Sequence, residues 1–292
     1  MLVCGLRSGV MSCWNEHWLL LEVGIRFSPW QPPVLAGYGG RRAGTADPLN
    51  RMATLADEVG DWLWHKRPWS DAALVYGARR VAEDIALGDE LGAALKAAYL
   101  THCVADGLAV SHAWLGLLGE EEDLGEEAIL RRLHDPVENL VIDHMEEVRF
   151  PDQPAEGEFA AAYRAGHEEA LRIGREIMVR MRHGRNLLPQ CLAGVGNAAR
   201  LMTVYFGAVT TGDVSGLCDL DPEPRLRRWP GREILSWGGE EIMAALADPQ
   251  AVPRLRAMTG FRGRNILFES WACSPEARED FRLYRQDRAA QR

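Results

Sequence analysis

Residues 97–114 read AAYLTHCVADGLAVSHAW, an apolar run interrupted by His102, Asp106 and His112. Apolar side chains recur at three- and four-residue intervals throughout DELGAALKAAYLTHCVADGLAVSHAWLGLL, so the segment is predicted to be a core helix. A polar group on such a helix is cut off from water, and a charged one there needs a partner or a metal ion. His102 and Asp106 are four residues apart, which stands them on one face a turn apart, able to grip a single ion. His112 follows six residues later, about 240° further round at 100° per residue, and so faces elsewhere unless the helix bends. One helix could thus feed two metals.

The same i, i+4 spacing returns in His134 and Glu138, within a helix predicted at about Ile129 to Val148. Neutral imidazole nitrogen and carboxylate oxygen both suit zinc, which they bind at about 2.0–2.2 Å. A single such pair on a helix is ordinarily a surface ion pair. Two pairs, one of them in an almost wholly apolar segment, point to a buried ligand set instead.

The rest of the chain supplies a helical frame for these pairs. Helices are predicted at Trp14 to Ile25, Leu49 to Trp64, residues 71–88, Phe159 to Arg182 and Asn186 to Thr211. The Pro- and Gly-rich SPWQPPVLAGYGGRRAG reads as a loop, FPDQPAEGE as a breaker and GEEEDLGEE as an acidic bridge. No period-two pattern is long enough for a sheet, so the fold class is all-α, a multi-helix bundle. After Gly212 the texture turns to Pro, Gly and Trp. Residues 1–213 are therefore taken as the helical domain and 214–292 as a C-terminal extension, with short helices at Glu240 to Ala247, Pro253 to Met258 and Pro275 to Ala290.

Composition narrows the function. A formal net charge of -9 opposes non-specific attraction to nucleic acid or anionic lipid, so no stable nucleic-acid complex is expected. Cysteines at 4, 13, 103, 191, 218 and 273 make no CxxC pair and no dense disulfide framework. No apolar run reaches the roughly 18 residues of a transmembrane candidate. The opening MLVCGLRSGVMSC lacks the apolar core of a signal peptide, although VMSC faintly resembles a lipoprotein cleavage box, and a cytoplasmic protein is expected.

The run YLTHCVADGLAVSHAW resembles the H-x3-D-x5-H signature of the zinc-dependent phospholipase C family, whose fold is shared with the single-strand-specific zinc nucleases. HDPVENLVID is similar to that family's following H-x3-E-N segment, NEHWLLLEV to its early histidine helix, and ATLADEVGDWLWH to the stretch giving an Asp and a His. NAARLMTVYFGAVTTGD resembles its closing helix, so the likeness runs from Trp14 to Gly212 in one order. Carried over, it implies a first zinc held by Asp57, His65, His102 and Asp106, and a second by His112, His134 and Glu138. A third would sit on His17 with Asp106 bridging. Two zinc ions are expected. The family usually completes the third site with a processed N-terminal Trp, whereas Trp14 is internal here. Asp47 and Asp61 rival Asp57 for the carboxylate position, and Val-Ser stands at 110–111 where the family has Gln-Pro.

The resemblance implies a zinc-dependent phosphoric ester hydrolase in which metal-bound hydroxide attacks phosphorus, with Asp57 doubling as the base that orients the water. Its substrate would be a small phosphoester or a phospholipid. Trp14, Trp18, Trp62, Trp64, Trp69 and Trp114 could line an apolar mouth, or pack in the core. Two other readings stay open. One is an HD-type phosphohydrolase built on His134-Asp135; the other is a non-catalytic, metal-stabilised helical binding protein. His144, His167 and His183 lack partner spacing and are read as surface or structural groups.

Overall fold

The computed structural model describes residues 14–60, 64, 67, 69–110, 135–214, 216–217, 226–260, 279, 282, 283 and 286. Every regular element among the described residues is helical, and the protein is an all-α bundle. In chain order these are α1 (Trp14–Phe27), α2 (Pro33–Ala36), a 3-10 segment (Arg41–Ala46), α3 (Pro48–Val59), α4 (Trp69–Leu87) and α5 (Glu90–Leu108). Then come α6 (Asp135–Asp143), a 3-10 turn (Met145–Glu147), α7 (Phe159–Arg182) and α8 (Leu188–Thr211). Three short helices follow: α9 (Pro230–Ile234), α10 (Gly239–Ala247) and α11 (Ala251–Met258).

Helix α5 is the axis. Every residue from Gly92 to Leu108 is buried, as expected of a helix that is apolar on all sides. α3 and α4 pack most extensively against it, and α1, α7, α8 and α10 also touch it. Its few polar side chains are therefore matched inside the protein. Lys96 Nζ lies 2.6 Å from Asp84 on α4, and Thr101 bonds back to the Ala97 carbonyl. The Tyr205 hydroxyl on α8 donates to that same carbonyl at 2.6 Å.

Local chemistry sets the ends of the site-bearing helices. Asp47 caps α3 by accepting from Leu49 N at 2.8 Å, with Pro48 at the first helical position, where a missing N–H costs nothing. α3 stops at Val59 because Gly60 takes the left-handed conformation (φ 78°) that other residues avoid. The helix predicted to reach Trp64 is shorter for that reason. α5 ends at Leu108, with extended backbone at Ala109, and the predicted continuation through His112 lies outside the described residues. The stretch read as loop carries α2 and the 3-10 segment, started by the fixed φ of Pro32 and Pro33. α7 has the predicted bounds, while the end expected at Pro275 to Ala290 lies almost wholly outside the described residues.

The C-terminal extension shares the bundle's interior. Leu226, Trp229, Ile234, Leu235, Ile242 and Leu255 belong to the same buried cluster as α3, α4, α5 and α8. Trp229 is fully buried, its ring 6.2 Å from those of Tyr76 and Tyr99. A second apolar cluster joins α1, α6, α7 and α8 through Leu19, Val137, Val141, Ile173, Ile177 and Val195. No helix among the described residues is long and apolar enough to cross a membrane.

Candidate metal centre

Three helices meet at one polar point inside the bundle. α1 brings His17, α3 brings Asp57, and α5 brings His102 and Asp106 from successive turns of one face. His102 is fully buried, His17 and Asp106 nearly so, while the Asp57 side chain keeps 30% of its exposure and forms the open edge. The imidazoles of His17 and His102 stack at 4.4 Å between centroids, 10° from parallel.

The carboxylates converge on those rings. His17 Nε2 lies 3.0 Å from Asp106 Oδ1, and His102 Nε2 lies 3.2 Å from Asp106 Oδ2. His102 Nε2 also lies 3.6 Å from Asp57 Oδ1. Asp106 thus spans both imidazoles, one oxygen to each. Burial and the neighbouring His102 pull the His17 pKa down, but the Asp106 hydrogen bond with the Asp106 and Asp57 charges outweighs them, and the net shift is upward.

This arrangement fits a cation. One ligand atom each from His17, Asp57 and His102 lies within 4.8 Å of the others, and a tetrahedral zinc needs ligand atoms about 3.4 Å apart at bonds near 2.1 Å. His17 Nδ1 is buried with no hydrogen-bond partner among the described residues, an uncommon state for a buried polar atom. Two stacked imidazoles facing two carboxylates make a mixed nitrogen and oxygen donor set, and such a set suits a divalent transition metal. The His17–Asp57–His102 group could therefore hold a metal ion.

The other residues singled out from sequence fall in several places. His65, His112 and His134 lie outside the described residues, as does Asp61. Glu138 stands on α6, half-buried beside Glu16, Val110 and Cys191 in a small crevice, not within the His17–Asp57–His102 group. Asp47 is committed to the backbone, accepting from Leu49 N and Gly39 N at 2.8 Å each. Asp57 is the one of the two described rivals that reaches the site. Of the tryptophans offered as an apolar mouth, Trp18, Trp64 and Trp69 are core residues, and Trp18 donates to the Asn50 carbonyl at 3.0 Å.

The three bystander histidines behave differently from one another. His144 pairs with Glu147 at 2.6 Å on the surface, and His183 is the exposed C-cap of α7. His167 does more. Its Nδ1–H donates at 3.0 Å to the carbonyl of Gly107, the residue directly after Asp106. Tyr163, one turn earlier on α7, lies so close to Gly107 that a Cβ there would sit 2.2 Å from its hydroxyl oxygen. Tyr163 and His167 thus brace the end of α5 that carries Asp106. Nothing in local spacing signals this support, because it comes from a helix 60 residues away.

No family model matches the chain, and no curated protein or solved structure matches it.

Proposed function

We propose that the protein is a zinc-dependent hydrolase of phosphate esters, phospholipase C-like, working at the centre formed by His17, Asp57, His102 and Asp106. The observation that carries this reading is the buried convergence of two histidines and two carboxylates, drawn from three helices in the order that the resemblance implies. When bound, zinc would lower the pKa of water and neutralise charge developing on phosphate oxygens. The second ion expected at His112, His134 and Glu138 belongs to the same proposal.

The protein's own groups divide the work. His102 and Asp106 fix the floor, since both are buried and α5 cannot move without disturbing the core. Asp106 holds both imidazoles in register through its two oxygens. Asp57, the exposed member, turns Oδ1 toward His102, which leaves Oδ2 placed to orient a water and accept its proton. A phosphoester would approach from the Asp57 side.

Hydrolysis of bis(4-nitrophenyl) phosphate and 4-nitrophenyl phosphate near neutral pH tests the reading, with zinc supplied and then chelated. The rate should depend on metal, and Asp57→Asn should lose more rate than metal. Equal losses would make Asp57 a ligand only. Burial of three of the four groups favours a second reading, a metal-stabilised bundle without catalysis. A fully metallated protein inert toward monoesters, diesters, phospholipids and single-stranded nucleic acid would establish that second reading in place of the first.

A further inference from the structure

Away from the metal centre, α3 and the C-terminal helices enclose a cleft of about 420 Å³, within the range of small-molecule sites. On α3 it is lined by Arg51, Leu55 and Glu58, which share one face at i, i+4 and i+7. Asp57 lies about 100° round the helix from Glu58, so the cleft and the metal centre use different sides of α3. The opposite wall is apolar and aromatic: Trp237, Ile242, Leu246 and Val252.

The charges around this apolar space select what can enter. Arg51 Nη1 donates to Glu58 Oε1, so the one cation among the described residues of the lining is already engaged within α3. Asp248, at the C-cap of α10, adds a second carboxylate: its Oδ1 accepts from Gln250 N at 2.9 Å, and its Oδ2 lies 3.8 Å from the exposed Arg254, a solvent-screened pair that contributes little. An anion entering here would have to break the Arg51–Glu58 pair and face two acidic groups. A cation would leave the Arg51–Glu58 pair intact and meet the Asp248 carboxylate and the indole of Trp237, groups of the kind that recognise ammonium compounds. We propose that this cleft binds a small organic cation with an apolar body, an alkyl or aryl ammonium compound. The assignment does not depend on the metal centre or on hydrolysis.

Calorimetric titration of the full-length protein with three chain-matched probes, hexyltrimethylammonium, hexanoate and hexanol, tests it. The ammonium probe should bind saturably with one site, and the other two at least about tenfold more weakly. Ala245→Trp places an indole into the cleft and should abolish binding. Asp248→Asn keeps the shape, removes a charge, and should weaken the ammonium probe about fivefold while leaving hexanol unchanged. Trp237→Leu should weaken the ammonium probe by a similar factor. Hexanoate binding as tightly as the ammonium probe, no saturable binding of that probe, or full affinity in a folded Ala245→Trp protein would each overturn the proposal. Should Ala245→Trp fail to fold, unchanged ammonium affinity in both Asp248→Asn and Trp237→Leu would overturn it equally.

Discussion

His102 concentrates the physics of the whole centre. It is fully buried, stacked on His17, and faces Asp57 and Asp106 through one nitrogen. Removing the ring takes a partner from both carboxylates and leaves Asp106, which is nearly buried, with His17 as its remaining imidazole partner in the site. His102→Ala should therefore lose metal and, with or without metal, cost on the order of 3 kcal/mol in urea unfolding. His183→Ala, on the exposed cap of α7, should change neither metal content nor midpoint. Similar behaviour of the two variants would remove the centre's special standing. His102 and Asp106 could be read from the chain because both facts that identify them are local: spacing of four and an apolar neighbourhood. His17 lies 89 residues from Asp106, and no local rule joins them. It entered only through resemblance, as did Asp57, and their meeting is a property of the packed bundle. His167, expected to be a surface or structural group, is structural: it bonds a backbone carbonyl, which spacing between side chains cannot register.

Helix by helix, what the sequence conveys depends on where each terminating signal sits. α7 was legible to the residue because an apolar stripe runs between a clear breaker and a basic last turn. α3 is shorter than its apolar pattern predicts because Gly60 stops it without interrupting that pattern in the residues beyond. α5 ends at Leu108, where Ala109 turns to extended backbone within a run of apolar residues, and His167 on α7 donates to the Gly107 carbonyl in its last turn. A distant helix thus holds that end. Asp89 is a comparable case at the other end of α5. Its Oδ1 accepts from Gly92 N at 2.9 Å as the α5 cap, while its Oδ2 accepts from Gly239 N at 2.8 Å in the first turn of α10. One carboxylate thus caps two helices of different segments. Asp89→Ala should destabilise the protein by about 2 kcal/mol, and Asp89→Asn, also a good cap, should recover much of that in chemical denaturation. A loss below about 0.5 kcal/mol for the alanine variant would mean that water replaces both bonds.

Across the whole molecule, the change of composition after Gly212 marks a change of texture, while the buried core runs across it. Leu226, Trp229, Ile234, Leu235, Ile242 and Leu255 are each at most 1% exposed and lie against α3, α4 and α5. Burying a large apolar side chain contributes about 1.5–3 kcal/mol, so these six together contribute roughly 10 kcal/mol or more. That equals the entire stability of a typical domain. A chain cut after residue 213 would also expose the faces of Tyr76 and Tyr99 that Trp229 covers. It should show no cooperative thermal transition and should hold less metal than the full chain, because α3 and α5, the helices left uncovered, carry Asp57, His102 and Asp106. Within the full chain, Trp229→Ala should cost about 3–5 kcal/mol, the range for emptying a buried aromatic site. Differential scanning calorimetry of the two proteins, with metal content measured alongside, separates the alternatives. If the fragment melts cooperatively near the full-length temperature and keeps its metal, the extension is an independent cover over a self-sufficient bundle. If it does not, the extension is part of what holds three helices close enough to present their ligands to one another.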